Sequence, residues 1–298
     1  MNSIYETNLP GLTHRGKVRD TYELKDNLLL MIVTDRISAF DVVLPDPIPG
    51  KGKILASMSK FWFNTTKHII PNHFIGLASE PETFELIKDN EISHLLNDEI
   101  KERAMVVKKA KRIDIECIVR GYITGSAWSE YKKTQQINKI NIEPGLVEAQ
   151  KFPEFLFTPS TKAEIGHDEP LSPKETYDLI GEDLTKNLEQ ISIDIFSFAH
   201  EYSLSKGIIL ADTKMEFGFL NDQLILIDEL LTPDSSRFWA SNDYKLGKSP
   251  EPFDKQYLRN WLTDQDWDKN PPAPSLPEKI INQTIEKYSE SFQILTSN

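Results

Sequence analysis

The sequence predicts a mixed fold of strands and helices, arranged as one large α/β unit or as two lobes that share a cleft. The chain has 298 residues, about twice the usual size of a single domain. Its N-terminal part carries the pattern of a β-hairpin, and its C-terminal part carries apolar residues at helical spacing. These three observations place sheet first along the chain and long amphipathic helices later.

The N-terminal part begins as sheet. Residues 21–24 and 28–33 have the composition of two strands, and 25–27 (KDN) has that of the turn between them. Apolar residues then recur three and four positions apart over 54–65, which predicts a helix with one buried face.

The middle of the chain contains the predicted boundary between two lobes. A weaker helical pattern covers 91–103, and strands are predicted at 104–107 and 113–119. The basic segment 108–112 (KKAKR) joins these strands and is the candidate junction. The predicted lobes are an N-terminal β-rich lobe, 1–112, and a C-terminal lobe of helices and strands, 113–298.

The C-terminal part has clearer signals. Residues 172–175 (SPKE) form a capping box with proline at the first helical position, so a helix begins there. A second helix is predicted over 184–202, where one apolar stripe continues for about five turns. Strands are predicted at 208–219 and 224–230, and a last helix begins at Pro277.

Composition excludes several classes of protein. Lys and Arg number 34 against 46 Asp and Glu, a formal net charge of −12, and no basic block is long enough to follow a nucleic-acid backbone. The longest apolar run, 28–33, is far shorter than a membrane span, and no signal peptide is found. The single cysteine, Cys117, lies in an apolar context and is expected to be buried. We therefore expect a soluble cytoplasmic protein with no nucleic-acid or membrane partner.

A candidate metal site lies on the first of the two C-terminal strands. Strand alternation places Asp212, Lys214 and Glu216 on one face. If 221–223 is the hairpin turn, Glu216 lies directly opposite Asp228, where two like charges repel unless a cation lies between them. Carboxylates without His or Cys suit a hard ion such as Mg²⁺ together with nucleotide phosphates.

The same charges have a simpler interpretation. A hairpin can carry charged residues on a solvated face with no ion bound. A two-residue turn would also shift the register and put Glu216 and Asp228 on opposite faces. From this pair alone, both interpretations, a metal site and a solvated charged face, stay open.

A candidate phosphate loop lies near the N-terminus, at Gly16, Lys17, Val18 and Arg19. Residues 11–18 (GLTHRGKV) approach a Walker A loop, but Val18 replaces the required hydroxyl residue and a strand follows where a helix is needed. A glycine-bearing β-turn that covers phosphates, as in a kinase-like lobe, fits better. An ordinary basic hairpin is the alternative for this stretch.

Other segments are rich in polar functional groups. Residues 120–126 (RGYITGS) end a strand and begin a helix, with Ser126 predicted as its N-cap. Free helix amides beside Arg120 would make a receptor for a second phosphate; a Gly-rich turn with a capping serine, and an arginine in a surface ion pair, is the alternative for this fragment. The polar loop 157–169 contains His167, the one histidine of six that we place near a site.

The motifs stand in an order that resembles one known family. They are 16–20 (GKVRD), 38–41 (SAFD), 116–122 (ECIVRGY), 125–126 (GS), 157–164 (FTPSTKAE), 211–218 (ADTKMEFG) and 228–239 (DELLTPDSSRFW). Together they resemble phosphoribosylaminoimidazole-succinocarboxamide synthase (SAICAR synthetase), from residue 13 to residue 292, and the segment from Phe253 onward resembles the longer form of that family. The resemblance implies an α+β fold, with a small antiparallel N-terminal lobe similar to the kinase small lobe, a larger α/β C-terminal lobe and an ATP cleft between them.

The resemblance also implies an activity. Such an enzyme is an ATP-dependent ligase of purine biosynthesis that joins the carboxylate of 5-amino-1-(5-phosphoribosyl)imidazole-4-carboxylate (CAIR) to L-aspartate, with Mg²⁺ as cofactor. A carboxylate is a poor acyl donor until it is phosphorylated, so an acyl phosphate is the expected intermediate. Its partners are then small molecules: ATP, CAIR and L-aspartate.

Site roles follow from the same resemblance. It implies that Gly16, Lys17, Val18 and Arg19 bind the ATP phosphates, that Glu216 and Asp228 bind Mg²⁺, and that Lys214 bridges ATP phosphate and the reacting carboxylate. It implies that Arg120, Ser126 and Arg237 bind the ribotide phosphate. Ser38, Asp41, Lys162 and Asp168 would then surround the imidazole and aspartate. Asp212 would orient the ribotide or Lys214.

Two other functions compete with the ligase. A small-molecule kinase would use the same phosphate loop and metal pair but stop at phosphorylation. A nucleotide-binding module would bind ATP and release no ADP. Dependence of ADP release on L-aspartate distinguishes the ligase from both.

Overall fold

The computed structural model describes residues 3–162 and 168–297 and contains antiparallel sheets packed with helices. In chain order its strands are β1 (Leu12–Arg15), β2 (Arg19–Glu23), β3 (Leu28–Val33), β4 (Ser38–Ala39), β5 (Val42–Val43), β6 (Phe74–Leu77), β7 (Ala104–Lys108), β8 (Lys111–Arg112), β9 (Ile115–Tyr122), β10 (Gln136–Ile137), β11 (Ile140–Asn141), β12 (Lys151–Phe157), β13 (Ser160–Thr161), β14 (Ile208–Leu220), β15 (Gln223–Ile227) and β16 (Ser236–Ala240). Its helices are α1 (Lys51–Thr66), α2 (Pro81–Ile87), α3 (Asp98–Lys101), α4 (Gly125–Thr134), α5 (Pro173–Ile180), α6 (Glu182–Ser205), α7 (Gln256–Thr263) and α8 (Glu278–Thr296).

The N-terminal sheet has the strand order β1-β2-β3-β7-β6. The predicted β2–β3 hairpin is confirmed, with Asp26 and Asn27 in the left-handed conformation at its turn. Side chains on β3 alternate between two buried layers: Leu30 packs on one face, while Met31 packs with α1 on the other. Because both faces are covered, β3 is apolar throughout.

The C-terminal sheet is organised around β14. On one side β14 pairs with β9 and β8, and on the other with β16 and β15. Helix α6 packs against it through Ile195, Phe196 and Ala199 in the main core. The capping box that starts α5 is confirmed, since Ser172 and Glu175 bond reciprocally. Cys117 of β9 is fully buried in the same core, as predicted.

The remaining predicted helices agree with the structure except over 91–103. The predicted helices over α1, α6 and α8 are present, and Tyr288 of α8 packs with Leu55 of α1 beneath the N-terminal sheet. The weak pattern over 91–103 becomes a 3₁₀ turn (Glu91–Leu95) and the short α3, because Asn97 caps a new helical start by accepting from the Ile100 amide.

The candidate junction forms part of the C-terminal sheet. Strand β8, inside the basic segment, pairs with Gly218 and Phe219 of β14. The lobe boundary at residues 112 and 113 stays a prediction. Among the described residues, no helix combines the length and apolar character needed to cross a membrane. The predicted site histidine, His167, lies outside the described residues.

A buried ion pair connects the N-terminal sheet to α1. Asp35 accepts from Arg103 Nη1 (2.7 Å) and from the Gly52 amide (2.9 Å), and both charged side chains are fully buried. A Cβ at Gly52 would lie 2.2 Å from the Val33 carbonyl oxygen, so only glycine allows this approach.

Replacing Asp35 should destabilise the protein strongly. Asp35→Ala leaves the Arg103 guanidinium buried without its partner, which should lower the free energy of unfolding by about 3–5 kcal/mol in urea denaturation. The control is Glu23→Ala, which removes a half-exposed partner of Lys109 and should change the free energy little. Equal losses in the two variants would contradict a structural role for the buried pair.

Candidate active site

Asp212 lies between two arginines on the central strand of the C-terminal sheet. Its direct neighbours in register are Arg120 on β9 and Arg237 on β16. Asp212 Oδ2 accepts from Arg120 Nη1 (3.2 Å) and from Arg237 Nη1 (2.5 Å), and Asp212 is 4% exposed. The carboxylate therefore holds both guanidinium groups in place on one face of the sheet.

A second group of charges follows on the same face. Glu116 Oε1 accepts from Lys214 Nζ (2.7 Å) and Lys162 Nζ (2.9 Å), and Lys162 also donates to Glu216 (2.5 Å). Burial would raise the pKa of Glu116, but Lys214 and Lys162 outweigh it and lower that pKa. Sequence reasoning assigned no role to Glu116, although its spacing of four from Arg120 on β9 places both on one strand face.

The predicted hairpin register is wrong by one residue. Leu220 pairs with Gln223 and Glu216 with Ile227, so the turn consists of Asn221 and Asp222 alone. Both turn residues have positive φ, 49° and 62°, the conformation whose twist suits a two-residue hairpin and which Asn and Asp tolerate. Glu216 and Asp228 are therefore not opposite in the strand ladder.

Asp228 nevertheless lies near enough to Glu216 for their charges to interact. It follows the end of β15 with φ of 70°, and its carbonyl oxygen accepts from His73 Nε2 (3.2 Å). Burial, and then the charge of Asp228, raise the pKa of Glu216. Burial and Arg19 keep the pKa of His73 low, at about 4, so the neutral ring donates that hydrogen bond. The two carboxylates therefore interact although the strand register does not pair them.

Arg19 connects this pair to the N-terminal sheet. Its Nη2 donates to Asp228 Oδ2 (2.6 Å), and its Nη1 lies 3.8 Å from Glu229. Burial alone would raise the pKa of Asp228, but Arg19, Lys162 and Lys214 outweigh it and lower that pKa. The two predicted metal ligands thus sit between an arginine from β2 and a lysine that follows β13.

The predicted phosphate loop is a tight turn between β1 and β2. The Gly16 amide donates to the Arg19 carbonyl (2.8 Å), and a strand follows, which agrees with the rejection of a Walker A loop. Buried Arg36 donates to the carbonyl oxygens of Gly16 (3.0 Å) and Lys17 (3.2 Å), while Thr34 donates to that of Val18 (2.8 Å). Sequence reasoning did not single out Arg36, because only the folded chain brings it against the turn.

A cavity of about 200 Å³ opens beside the Asp212 arginines. Ser126 lines it, but not as the predicted N-cap, because α4 starts at Gly125 with Thr124 as its N-cap. A Cβ at Gly125 would lie 2.3 Å from Arg237 Nη2. Glycine at this position therefore lets the arginine pack against the start of α4.

The remaining predicted substrate residues lie on loops and short strands. Ser38 belongs to β4, and Asp41 follows in a left-handed turn, where its carboxylate contacts the Lys17 ammonium. Asp168 is half-buried and directly follows residues 163–167, which are not described. The structure therefore places Asp41 beside the Gly16 turn.

Comparison with known proteins shows the family of this chain. Residues 12–274 match the model of the family described as SAICAR synthetase. The chain belongs to the SAICAR synthetase family. The phosphoribosylaminoimidazole-succinocarboxamide synthase of Thermodesulfovibrio yellowstonii is 51% identical over 300 residues, with 99% of each chain covered.

Solved structures of SAICAR synthetases have the same fold. A structure described as the SAICAR synthase from Saccharomyces cerevisiae complexed with SAICAR matches with a TM-score of 0.88 and 42% identity over 99% of both chains. A SAICAR synthetase in complex with ADP matches with a TM-score of 0.70 and 25% identity, covering 96% of this chain and 97% of that one. These matches confirm the resemblance and the α+β fold that the sequence predicted.

Glu116 should stabilise the fold only while it is ionised. Its pKa is lowered from the usual 4.5, so its contribution is present above about pH 4.5 and is lost as the pH falls further. Glu116→Gln should therefore lower the free energy of unfolding by about 1–3 kcal/mol near pH 7. Denaturation at several pH values should show this difference shrinking as Glu116 becomes protonated.

The matched control is Glu154→Gln, at an exposed position of the neighbouring strand β12. It should leave the free energy of unfolding close to that of the wild type. A deficit in Glu116→Gln that stays constant down to about pH 3 would contradict an ionic role for Glu116.

Proposed function

We propose how this site carries out the reaction of its family. The chain is an ATP-dependent ligase that joins the carboxylate of CAIR to the amine of L-aspartate, giving SAICAR, ADP and phosphate. The observation that carries the residue assignments is the charged face shared by β14 and β9. Arginines paired through Asp212 lie there beside the lysines and carboxylates around Lys214.

Lys214 lies at the centre of the proposed chemistry. Transfer of a phosphoryl group to the CAIR carboxylate creates an acyl phosphate, which the aspartate amine then attacks with loss of phosphate. Phosphoryl transfer depends mainly on positioning and on neutralising charge. Lys214 is half-exposed and held by Glu116, so its ammonium can meet the anionic oxygens of both reactants.

The ATP phosphates are assigned to the turn at Gly16, Lys17, Val18 and Arg19. Glu216 and Asp228 fit a magnesium ion, because they offer only carboxylate oxygens and because their proximity raises the pKa of Glu216 beyond the effect of burial. When bound, such an ion would offset the charge of the terminal phosphates. Arg19, which now balances Asp228, can turn toward the same phosphates.

The ribotide phosphate is assigned to the cavity beside α4. Arg120 and Arg237 present guanidinium groups there, Ser126 adds a hydroxyl, and Asp212 positions both arginines. The imidazole and L-aspartate are assigned to Ser38, Asp41, Lys162 and Asp168. A cytoplasmic location, where these small metabolites occur, completes the proposal.

A coupled assay for ADP tests the activity directly. Purified protein with ATP, Mg²⁺ and CAIR should release ADP continuously only when L-aspartate is added. Mass spectrometry should detect SAICAR in the same mixture. Continuous ADP release without L-aspartate would contradict the ligase and indicate a kinase instead.

Asp228→Asn tests the proposed metal ligands. The amide lacks the negative charge that holds a divalent ion, so kcat should fall at least about hundredfold. The melting temperature should change little, since Arg19 loses a partner while Glu216 loses a like-charged neighbour. Asp222→Asn is the matched control, because Asn also adopts the φ of 62° at the exposed turn.

The two measurements together decide the role of Asp228. Wild-type kcat in Asp222→Asn confirms that the loss does not come from a change in the hairpin. If Asp228→Asn keeps its kcat and instead melts at a much lower temperature, the carboxylate is structural.

A further inference from the structure

A third arginine faces the cavity that holds Arg120 and Arg237. Arg259 lies on α7 and lines this cavity, while Leu258 and Leu262 of the same helix are buried in a separate apolar cluster. Within residues 3–162 and 168–297, its guanidinium group forms no hydrogen bond and no ion pair. Five N–H donors are therefore available on one planar group beside the cavity.

The nearby carboxylates are already engaged. Asp254 accepts from the amides of Phe238 (3.0 Å) and Gln256 (2.7 Å), and Asp212 is held by its two arginines. Asp234, also at the cavity, accepts from the Tyr288 hydroxyl (2.7 Å), with Lys51 at 3.1 Å and Lys255 at 3.3 Å. None of these carboxylates lies within ion-pair distance of Arg259 among the described residues.

The cavity therefore has an excess of positive charge. Four cations line it, Arg120, Lys214, Arg237 and Arg259, against two carboxylates. The Nε atom of Arg237 is also buried without a hydrogen-bond partner in the part of the chain that is described. Unpaired donors in a partly buried cavity are costly unless an anion accepts from them. Burial, and then the charge of Arg237, lower the pKa of Arg259, as expected for cations that share one space.

We propose that Arg259 is a further ligand of the ribotide phosphate, an inference that rests on the proposed function. Arg120 is tied by Nε to Thr158 and by Nη1 to Asp212, and Arg237 is tied by Nη1 to Asp212. Arg259 supplies the free planar donors that suit bidentate contact with a phosphate dianion. It lines the same cavity as Ser126 in the first turn of α4, where helix amides favour an anion.

The test compares Arg259→Gln with wild type in the coupled ADP assay. The KM for CAIR and the inhibition constant of ribose 5-phosphate, which competes for the phosphate site, should each rise about ten- to hundredfold. The KM values for ATP and L-aspartate should stay close to wild type. Arg259→Lys keeps the charge but loses the planar donors, so it should show a smaller rise in both constants. The control is Arg112→Gln on β8, whose exposed side chain pairs with Asp114.

Each outcome supports or overturns the assignment. If ribose 5-phosphate inhibits Arg259→Gln as well as it inhibits Arg112→Gln, or if the KM for L-aspartate rises instead, Arg259 is not a phosphate ligand. If Arg259→Gln does not fold, the same two constants are measured for Arg259→Lys. A KM for CAIR and an inhibition constant equal to those of the wild type would then overturn the proposal. If the wild-type protein releases ADP without L-aspartate, the proposed function is overturned. If the wild-type protein needs L-aspartate but ribose 5-phosphate inhibits Arg259→Gln as well as wild type, only the role of Arg259 is overturned.

Discussion

The burial of β14 between neighbouring strands constrains everything else in the site. Alternation places Asp212, Lys214 and Glu216 on one face of this strand, with β9 and β16 against it. A buried charge without a partner is strongly destabilising, so each of these groups must find an opposite charge on an adjacent element. Arginines flank Asp212, and two lysines share Glu116. The result is a face of paired charges, to which we assign the anionic reactants.

Local pairing also explains how an acidic protein can bind anions. The net charge of −12 describes the whole chain, whereas the cavity beside α4 is lined by an excess of cations. Ion pairs with Asp212 hold two of these side chains, Arg120 and Arg237, in place. These arginines are therefore already desolvated and positioned before an anion binds, which lowers the cost of binding.

Local signals were sufficient to predict most of the fold. Turn residues and alternation located β2, β3 and β14, and caps and apolar stripes located α1, α5, α6 and α8. The same alternation put the three charged residues of β14 on one face. Two local details were wrong, the length of the turn after β14 and the capping role of Ser126. Both depend on one or two backbone angles, and residue type only biases such angles.

The rest of the site depends on contacts between distant parts of the chain. Asp228, whose charge acts on Glu216, adopts a left-handed conformation and accepts from Arg19, more than two hundred positions earlier. Arg36, His73 and Arg259 reach the site from segments that carry no motif of their own. Spacing along one strand cannot reveal such partners, since packing of the two sheets and of α7 brings them together.

The most direct test of the proposed metal site at Glu216 and Asp228 is anomalous diffraction from crystals grown with a non-hydrolysable ATP analogue and with Mn²⁺ in place of Mg²⁺. We predict one strong peak with carboxylate oxygens of Glu216 and Asp228 as its ligands, and with Arg19 directed at the phosphates. A metal bound to the analogue alone, with Arg19 still on Asp228 and Lys162 still on Glu216, would contradict the account.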